Sequence, residues 1–455
     1  MALKKFLPNF ILNYLEKGNE RSVKAKKNIA LSFVLKGLNI IISITIVPLT
    51  INYVDKMQYG IWLTLSSLIA LFGFFDIGFG NGLRNKFSEA ITNRKYKLAR
   101  IYVSTTYAIL SIISGIMLIL FLCINPFLNW ATILNTPQYL AGELSIVAIV
   151  VIVFFCMQFV LQLVIMVLSA NQQPAKAAFF NFIGNALALL LIFILTKTTK
   201  GKLIYLSLAL GLSPVVVLVA SSLWLYTHEY KLYAPSIKLV QFRFGKRLIN
   251  LGVKFFVIQI AAIILYQTSN IIITQLYGPG EVTTYNITYK YFGVISMLFG
   301  IIITPFWSAF TEAWIKKDIF WINNAMKKLK LIWLLLSVLT IFMVVCANKV
   351  YLYWVGESIS IPFSLNLTMA AFVIINLWFT IYAQFLNGIG FIKIQLIIAV
   401  ICSLINIPLS IFLGMYLGIY GVILSTVIVS IPGLIIYPIQ FKKIIQKKAH
   451  GIWAN

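Results

Sequence analysis

The sequence predicts an all-α polytopic membrane protein, with about twelve transmembrane helices in two lobes of six. The chain has 455 residues, of which 61% are hydrophobic and only 11% are charged, whereas soluble domains are about 25% charged. Apolar runs of the length that a membrane-spanning helix needs, about 20 residues, recur along the whole chain. The runs are continuous, which excludes the alternating pattern of a transmembrane β-barrel.

Twelve spans are expected, and short loops connect most of them. The longer connection at 227–252 divides them into two sets of six, so the chain is expected to comprise a basic N-terminal segment (1–28), a first lobe (29–226), a linker (227–252), a second lobe (253–439) and a basic tail (440–455). The predicted spans are 29–50, 61–80, 101–124, 144–167, 177–196, 203–226, 253–275, 286–310, 331–348, 364–385, 392–413 and 418–439.

The distribution of charge predicts the orientation in the membrane. The net charge is +26, but Lys and Arg form short clusters between apolar runs, which indicates topology and not contact with nucleic acid. With a cytoplasmic N-terminus, 30 of the 37 basic residues fall in cytoplasmic segments. The positive-inside rule therefore predicts that both termini are cytoplasmic. Lys197, Lys200 and Lys202, in an outer loop, are the local exception.

The two halves of the chain resemble each other weakly. Phe87–Ala90, at the end of span 2, reads Phe-Ser-Glu-Ala, and Phe310–Ala313, at the end of span 8, reads Phe-Thr-Glu-Ala. Pro214 in span 6 has a counterpart in span 12, Pro432. These matches predict two lobes of the same orientation, and transporters built in this way place their substrate site between the repeats.

Polar side chains form stripes along several spans, because residues three or four apart share a face of a helix. Such stripes either hold helices together by hydrogen bonds or line a water-filled cleft between the lobes. The two lysines either extend to the lipid headgroups or offer a cation to an anionic substrate. Lys290 is expected about one turn into span 8. The candidate cavity residues on the stripes are Lys36 and Asn39 in span 1, Gln259, Gln267 and Asn270 in span 7, and Lys290 in span 8.

The stretch from Tyr59 to Ala90 is expected to form one membrane-spanning helix that ends in a glycine-broken, basic exit, and it carries an acid, Asp76, within its apolar run. Ionisable groups at membrane depth are energetically costly and usually mark a pathway or a pair. Asp76 either pairs with Arg84, two turns later, or loads and releases a coupling ion. Arg84 is a further candidate for the substrate cavity.

No motif for an enzyme, a metal or a cofactor is apparent. The chain has no P-loop, no HExxH and no Cys/His spacing of a metal site. The four cysteines, which lie in apolar runs, show no disulfide pattern. We therefore expect a protein that is not an enzyme and that needs no metal or cofactor.

The residues of span 2 carry a family resemblance. The motif Tyr59-Gly60-x-Trp62, followed by Asp76-x-Gly78-x-Gly80-Asn81-Gly82-Leu83-Arg84-Asn85, resembles the second span of bacterial O-antigen and polysaccharide flippases. These flippases belong to the multidrug/oligosaccharidyl-lipid/polysaccharide exporter superfamily. The resemblance implies a V-shaped fold with alternating access, located in the bacterial inner membrane. It also implies coupling to protons or sodium ions.

The substrate implied by this resemblance is an undecaprenyl-diphosphate-linked oligosaccharide, moved from the cytoplasmic to the periplasmic leaflet. Its diphosphate would contact Lys36, Lys290 and Arg84, and its sugars the amides of span 7. Related flippases for the peptidoglycan precursor use cavity arginines, whereas this chain has lysines at Lys36 and Lys290. Further partners would be membrane lipids and a polysaccharide polymerase complex.

Two other functions remain open. A multidrug or cation antiporter of the same superfamily would need an acidic cavity, whereas the predicted cavity is basic. A membrane scaffold of the polysaccharide assembly complex, without transport, would not need lysines within its spans.

Overall fold

The computed structural model describes residues 20–76, 79–171, 173–245, 267–356 and 359–454. Over these ranges the chain forms helices and turns, with no strand. Ten of the described helices are long and apolar enough to cross a membrane. Span 2 is interrupted, and span 7 is described only over 267–277, so these ten helices agree with the twelve predicted spans. The predicted all-α polytopic membrane fold is confirmed.

The first lobe contains spans 1 to 6. Its apolar runs form helices because hydrocarbon offers no water to hydrogen-bond an open backbone. The helices are Glu20–Val54 (span 1), Lys56–Ala70 and Phe79–Thr92 (span 2), Tyr96–Ile124 (span 3), Ala141–Leu161 and Leu163–Ala170 (span 4), Pro174–Thr198 (span 5) and Leu203–Thr227 (span 6).

Span 2 differs from its prediction. A break was expected only at the glycine-rich end of this stretch, whereas the α-helix already ends at Ala70 and a 3-10 helix follows over Leu71–Asp76. A second α-helix begins at Phe79. Gly73 lies within the 3-10 helix, and a glycine costs about 1 kcal/mol in an α-helix relative to alanine.

The second lobe contains spans 7 to 12. Spans 8 and 9 have 37 residues each, which is about 55 Å of helix, longer than a hydrocarbon core of about 30 Å. Both therefore extend beyond their predicted bounds. The described helices are 267–277 (span 7), Pro279–Ile315 (span 8), Ile319–Val355 (span 9), Phe363–Ile389 (span 10), Lys393–Leu417 (span 11) and Ile419–Ile445 (span 12).

The segment after span 6 lies against the first lobe. Arg100 in span 3 donates to the carbonyl of Ala234, at 2.8 Å, and the Ser104 hydroxyl accepts from the backbone N–H of Ser236, at 3.0 Å. Tyr230 is buried, which raises its pKa to about 12, so its hydroxyl stays protonated while it accepts from Asn171. The first part of the predicted linker is thus held by the first lobe, while the predicted bounds of lobes and linker stay predictions.

Two clusters of buried apolar side chains form the core. The larger cluster runs through the described second lobe and continues into the first lobe, where it includes Tyr59, Ile61 and Leu65 of span 2. The smaller cluster belongs to the first lobe alone and includes Leu83 and Phe87, near the other end of span 2. The described lobes therefore share a core at the Tyr59 end of span 2, whereas at its Arg84 end the first lobe has a core of its own.

Candidate functional site

Span 2 contacts the second lobe along one face of its first helix. This face includes Lys56, Tyr59, Gly60, Thr64 and Ser67, which are spaced so that they lie above one another on a helix. It packs against residues 270–290, which belong to spans 7 and 8. We call this contact the seam, and it joins helices that the repeat places at equivalent positions in the two lobes.

The seam depends on a glycine at position 60. A Cβ atom there would lie 1.7 Å from the carbonyl oxygen of Pro279, which is far inside any allowed contact. The absence of a side chain thus brings the two helices together. On the other side, Gly278 has a φ of +84° and forms a tight turn between spans 7 and 8, a conformation that favours glycine.

Buried polar side chains join the lobes within the seam. The hydroxyl oxygens of Thr64 and Thr274 are 2.6 Å apart, and Asn270 donates to the Ser67 hydroxyl at 2.7 Å. Asn270 in turn accepts from Asn286 at 2.9 Å. A buried polar group is energetically costly unless it is hydrogen-bonded. Each of these side chains has a hydrogen-bond partner within the seam.

A charged pair and a loop extend the seam to the beginning of span 2. Lys56 forms an ion pair with Glu281, with 3.2 Å between Nζ and Oε1, and its carbonyl accepts from Thr283 at 2.7 Å. In the connection between spans 3 and 4, Asn135 donates to the carbonyl of Thr274 at 3.1 Å. The half-exposed ion pair contributes little energy, and it sits at the rim of the buried contact.

A cavity of about 210 Å³ lies beside the seam. Lys290 contributes its ammonium group, which donates to the hydroxyl of Tyr59 at 3.3 Å. Span 8 begins at Pro279, earlier than expected, so Lys290 lies about three turns into this helix and not about one. The lining residues are Ile42, Ser43 and Ile46 of span 1, Tyr59, Trp62 and Leu63 of span 2, Asn185 of span 5, Leu210 of span 6 and Lys290.

Two predicted residues of span 1 lie on the face that leads to this cavity. Asn39 accepts a hydrogen bond from Asn185, at 3.1 Å, and Asn185 lines the cavity. Lys36 is exposed, and it lies seven residues before the cavity residue Ser43 on the same face, about 10 Å along the helix. Asn39 is thus linked to the cavity through Asn185, whereas Lys36 lies further along span 1 and does not line the cavity. We call the face of span 1 from Lys36 to the cavity, together with the cavity itself, the path.

The other predicted residues are placed differently. Asn270 is buried in the seam, and Gln267 is half-buried one turn away on span 7. Arg84 is exposed on the second helix of span 2, far from the seam. Gln259 and the side chain of Asp76 lie outside the described part of the chain. The roles predicted for these residues stay predictions.

Several residues of the site were not among the predicted ones. Thr64, Ser67 and Glu281 join the lobes, and Asn185 lines the cavity. Thr274 had a signal, because it continues the polar stripe of span 7. Gly60 also had a sequence signal, because it belongs to the motif of the family resemblance. The reason why a glycine is needed there becomes clear only from the position of Pro279.

Comparison with known proteins identifies the family. Residues 25–309 match the family described as "Polysaccharide biosynthesis protein", which is more than half of the chain. The chain therefore belongs to this family. Among curated proteins, a "Putative O-antigen transporter" of Salmonella typhi is 23% identical over 373 residues, which cover 79% of this chain and 82% of that protein. A protein of the same description from Salmonella typhimurium is 24% identical over 161 residues, or 33% of this chain and 36% of that protein.

Two solved structures illustrate the likeness in fold. A multidrug resistance MATE family transporter of the MOP superfamily, in an inward-facing conformation, has a TM-score of 0.69 at 15% identity and covers 93% of this chain and 96% of its own. The lipid II flippase MurJ, in an inward closed conformation, has a TM-score of 0.67 at 16% identity, with 91% of this chain and 87% of its own covered. At these identities the likeness establishes the fold.

Replacing Gly60 with alanine should separate the two helices of the seam. The new Cβ atom meets the backbone of Pro279, which cannot move as a flexible side chain does, so we expect a loss of about 1–3 kcal/mol of stability. Thermal unfolding of the purified protein in detergent measures the effect as a lower midpoint. Gly293→Ala in span 8 is the control, because no atom lies within 4 Å of its Cβ position. Equal midpoints for the two variants would show that position 60 does not limit the seam.

Proposed function

We propose that this protein is a flippase that moves an undecaprenyl-diphosphate-linked oligosaccharide, the repeat unit of an O-antigen or other surface polysaccharide, from the cytoplasmic to the periplasmic leaflet. Membership in a polysaccharide biosynthesis family and the relatives described as O-antigen transporters support a membrane transporter of this substrate class. The observation that carries the proposal is the seam, because Tyr59 of the seam and Lys290 line the same cavity and are hydrogen-bonded to each other.

Under this proposal the seam faces the periplasm. The basic clusters predict that the Arg84 end of span 2 is cytoplasmic, and the seam lies at the opposite end of that span. We infer that a closed seam corresponds to an inward-facing state, in which substrate would enter from the cytoplasm and the seam would block its exit. Transport requires the seam to open while the cytoplasmic ends of the lobes approach each other.

The chemistry of the path suits a diphosphate. Lys36, exposed on span 1, would meet the substrate first, and Lys290, beside the cavity, would meet it later. A lysine binds phosphate as a mobile point charge, which permits release. The side chains of Tyr59 and Trp62 offer aromatic surfaces for a sugar. A cavity of about 210 Å³ is smaller than the pockets of about 300–1,000 Å³ that hold drug-sized ligands, so only part of the substrate head would occupy it and the polyprenyl tail would remain in the bilayer.

The seam is weak enough to open during a transport cycle. It contains a few polar bonds, and side-chain hydrogen bonds between membrane helices contribute about 0.6 kcal/mol each on average. The hydrogen bonds of the seam together therefore contribute about 2–3 kcal/mol to keeping it closed. A substrate or ion that binds the two states with a difference in free energy of this size shifts the equilibrium between them.

The composition of the cavity favours a flippase over the alternative cation antiporter. Among the residues that the structure describes, those lining the cavity include a lysine and no carboxylate, and the nearby Glu281 is paired with Lys56. An anionic substrate is attracted by this arrangement, whereas a cationic drug is repelled. A scaffold without transport does not need its lobes to separate, so it would not need a weak polar contact such as the seam between them.

Coupling to an ion gradient is part of the proposal, with protons or sodium ions as the coupling ion. Asp76 is the candidate carrier, because it is an acid inside the apolar run of span 2. A carboxyl group in such surroundings binds a proton more readily than in water. The cycle involves no covalent chemistry by the protein, which agrees with a protein that is not an enzyme.

A disulfide between residues 64 and 274 should lock the seam and stop transport. The hydroxyl oxygens of Thr64 and Thr274 are 2.6 Å apart, close to a disulfide bond length of about 2.05 Å. With the four native cysteines replaced by alanine, Thr64→Cys with Thr274→Cys should crosslink on oxidation, and surface polysaccharide should fall to the level of a deletion strain. Reduction should restore it.

The control for this crosslink is a disulfide within one lobe. The hydroxyl groups of Ser410 and Ser425, in spans 11 and 12, are hydrogen-bonded to each other. Ser410→Cys with Ser425→Cys should crosslink equally well and leave transport intact, because both residues move together with the second lobe. Transport that continues with the seam fully crosslinked would rule out alternating access through this contact.

Removing either lysine of the path should reduce transport. Lys36→Ala and Lys290→Ala each delete a charge-assisted contact of about 1.5–3 kcal/mol, so we expect a loss of about tenfold or more in surface polysaccharide at equal protein level. The control is Lys349→Ala, which removes an exposed lysine of span 9. Normal polysaccharide from both path variants would contradict the assigned cavity.

Replacing Asp76 with asparagine should reduce transport and remove its dependence on the coupling ion. The measurement is uptake of a lipid-linked oligosaccharide in proteoliposomes with and without a proton or sodium gradient. Asp318→Asn is the control, because Asp318 caps span 9 by accepting from the N–H of Trp321, and asparagine caps a helix equally well. Full gradient-driven activity of Asp76→Asn would leave this residue a structural role only.

A further inference from the structure

A second cavity lies at the opposite end of the second lobe, between spans 11 and 12. Its volume is about 300 Å³. Apart from the Cys402 side chain its lining consists of apolar residues, and the Cys402 thiol is already bonded to the carbonyl of Val429, at 2.9 Å. The lining residues are Ile394, Ile397, Ile398, Ile401, Cys402, Pro432, Ile436, Ile452 and Trp453. Such a lining gives water no hydrogen-bond partners, so a hydrocarbon chain is the fitting occupant.

The C-terminal segment forms one wall of this cavity. Ile452 and Trp453 belong to a short 3-10 helix at Gly451–Ala454, which folds back on spans 11 and 12. Gln440 holds the C-terminal segment in this position, because its amide donates to the carbonyls of Phe391, at 3.3 Å, and Trp453, at 3.4 Å. The amide of this fully buried glutamine of span 12 thus ties the end of the chain to span 12 and to the loop that precedes span 11.

The rim of the cavity is strongly basic. Lys393 is exposed and directly precedes the lining residue Ile394. Lys443 places its ammonium group 3.9 Å from the ring centre of Trp453, which also lines the cavity. Three further lysines, Lys442, Lys447 and Lys448, are exposed in the same terminal region.

No acidic side chain balances these lysines within the same stretch of sequence. After Glu357 the chain contains five lysines, no arginine and no Asp or Glu. Salt bridges among the residues of spans 10 to 12 cannot therefore neutralise the rim. An anion from outside the chain can do so, and in a bilayer the abundant anion at headgroup depth is a lipid phosphate.

We propose that this cavity is a binding site for an anionic phospholipid. One acyl chain occupies the space between spans 11 and 12, and the phosphate lies among Lys393, Lys443 and the neighbouring lysines. The site is separate from the path beside the seam, because it lies within the second lobe and on other helices. It holds a lipid of the membrane and not the transported one, and it would keep the C-terminal segment folded over spans 11 and 12.

Lipid retention by the purified full-length protein tests this site. The protein in detergent is incubated with equal amounts of phosphatidylglycerol and phosphatidylcholine, and the bound lipids are counted by native mass spectrometry. We expect phosphatidylglycerol to be retained in preference, by about fivefold for each interfacial lysine that contacts the phosphate. Equal retention of the two lipids would overturn the proposal.

Two variants separate the cavity from general attraction to the surface. Ile401→Trp fills the cavity from a half-exposed position and should abolish the retention of phosphatidylglycerol. Ile405→Trp is the matched control, because Ile405 is equally exposed, at 50%, one turn further along span 11 and outside the lining. If both variants retain phosphatidylglycerol equally, the cavity is not the site.

A second comparison tests the rim. Lys393→Gln with Lys443→Gln should lower retention of phosphatidylglycerol to that of phosphatidylcholine, whereas Lys327→Gln with Lys328→Gln, two exposed lysines of span 9, should not. Undecaprenyl diphosphate added in equal amount should leave the bound phosphatidylglycerol in place. Its displacement by undecaprenyl diphosphate would overturn the proposal and assign the cavity to the transported lipid, while the proposed flippase activity would stand.

Discussion

The close approach of span 2 to spans 7 and 8 is the contact on which the arrangement of the two lobes depends. Because residue 60 has no side chain, its backbone reaches the carbonyl of Pro279, and only at this distance do Thr64 and Thr274, or Ser67 and Asn270, come within hydrogen-bond range. A larger residue would separate all of these pairs together, and would leave their polar groups buried without partners. One missing Cβ atom thus sets the geometry of a contact that extends over about three turns of span 2.

The energetics of this contact agree with a moving part. An apolar interface between lobes would gain little from the membrane, because lipid tails are as apolar as the side chains that they replace. Close packing and a few hydrogen bonds therefore hold the seam. They fix the relative position of the two lobes in this state, and their small energy allows the lobes to separate. The large apolar surfaces of the lobes, such as Phe342 and Val345 in span 9, are exposed and are free to face lipid in either state.

Much of the fold could be predicted from the sequence, because the length of apolar runs and the position of basic clusters are direct consequences of the bilayer. Long-range packing was harder to predict. The repeat relates spans 2 and 8, but nothing in either sequence states that Gly60 meets Pro279, and the polar stripe of span 7 does not distinguish a cleft from a seam. Asn270 lies in the seam and Lys290 lines the cavity beside it, while the contacts with substrate predicted for both residues stay predictions.

Lys290 connects the cavity to the seam. Its ammonium group lines the cavity and also donates to the Tyr59 hydroxyl across the contact between the lobes. A phosphate that draws the Lys290 ammonium group towards itself breaks this hydrogen bond, which at 3.3 Å is already longer than a typical N–H···O bond of about 2.7–3.2 Å. Under the proposed function, arrival of the substrate head would therefore weaken the seam at the residue next to Gly60. Binding and opening would then be linked through a single side chain, and the linkage would hold in both directions, because a seam that has opened leaves Lys290 free to bind the anion more tightly.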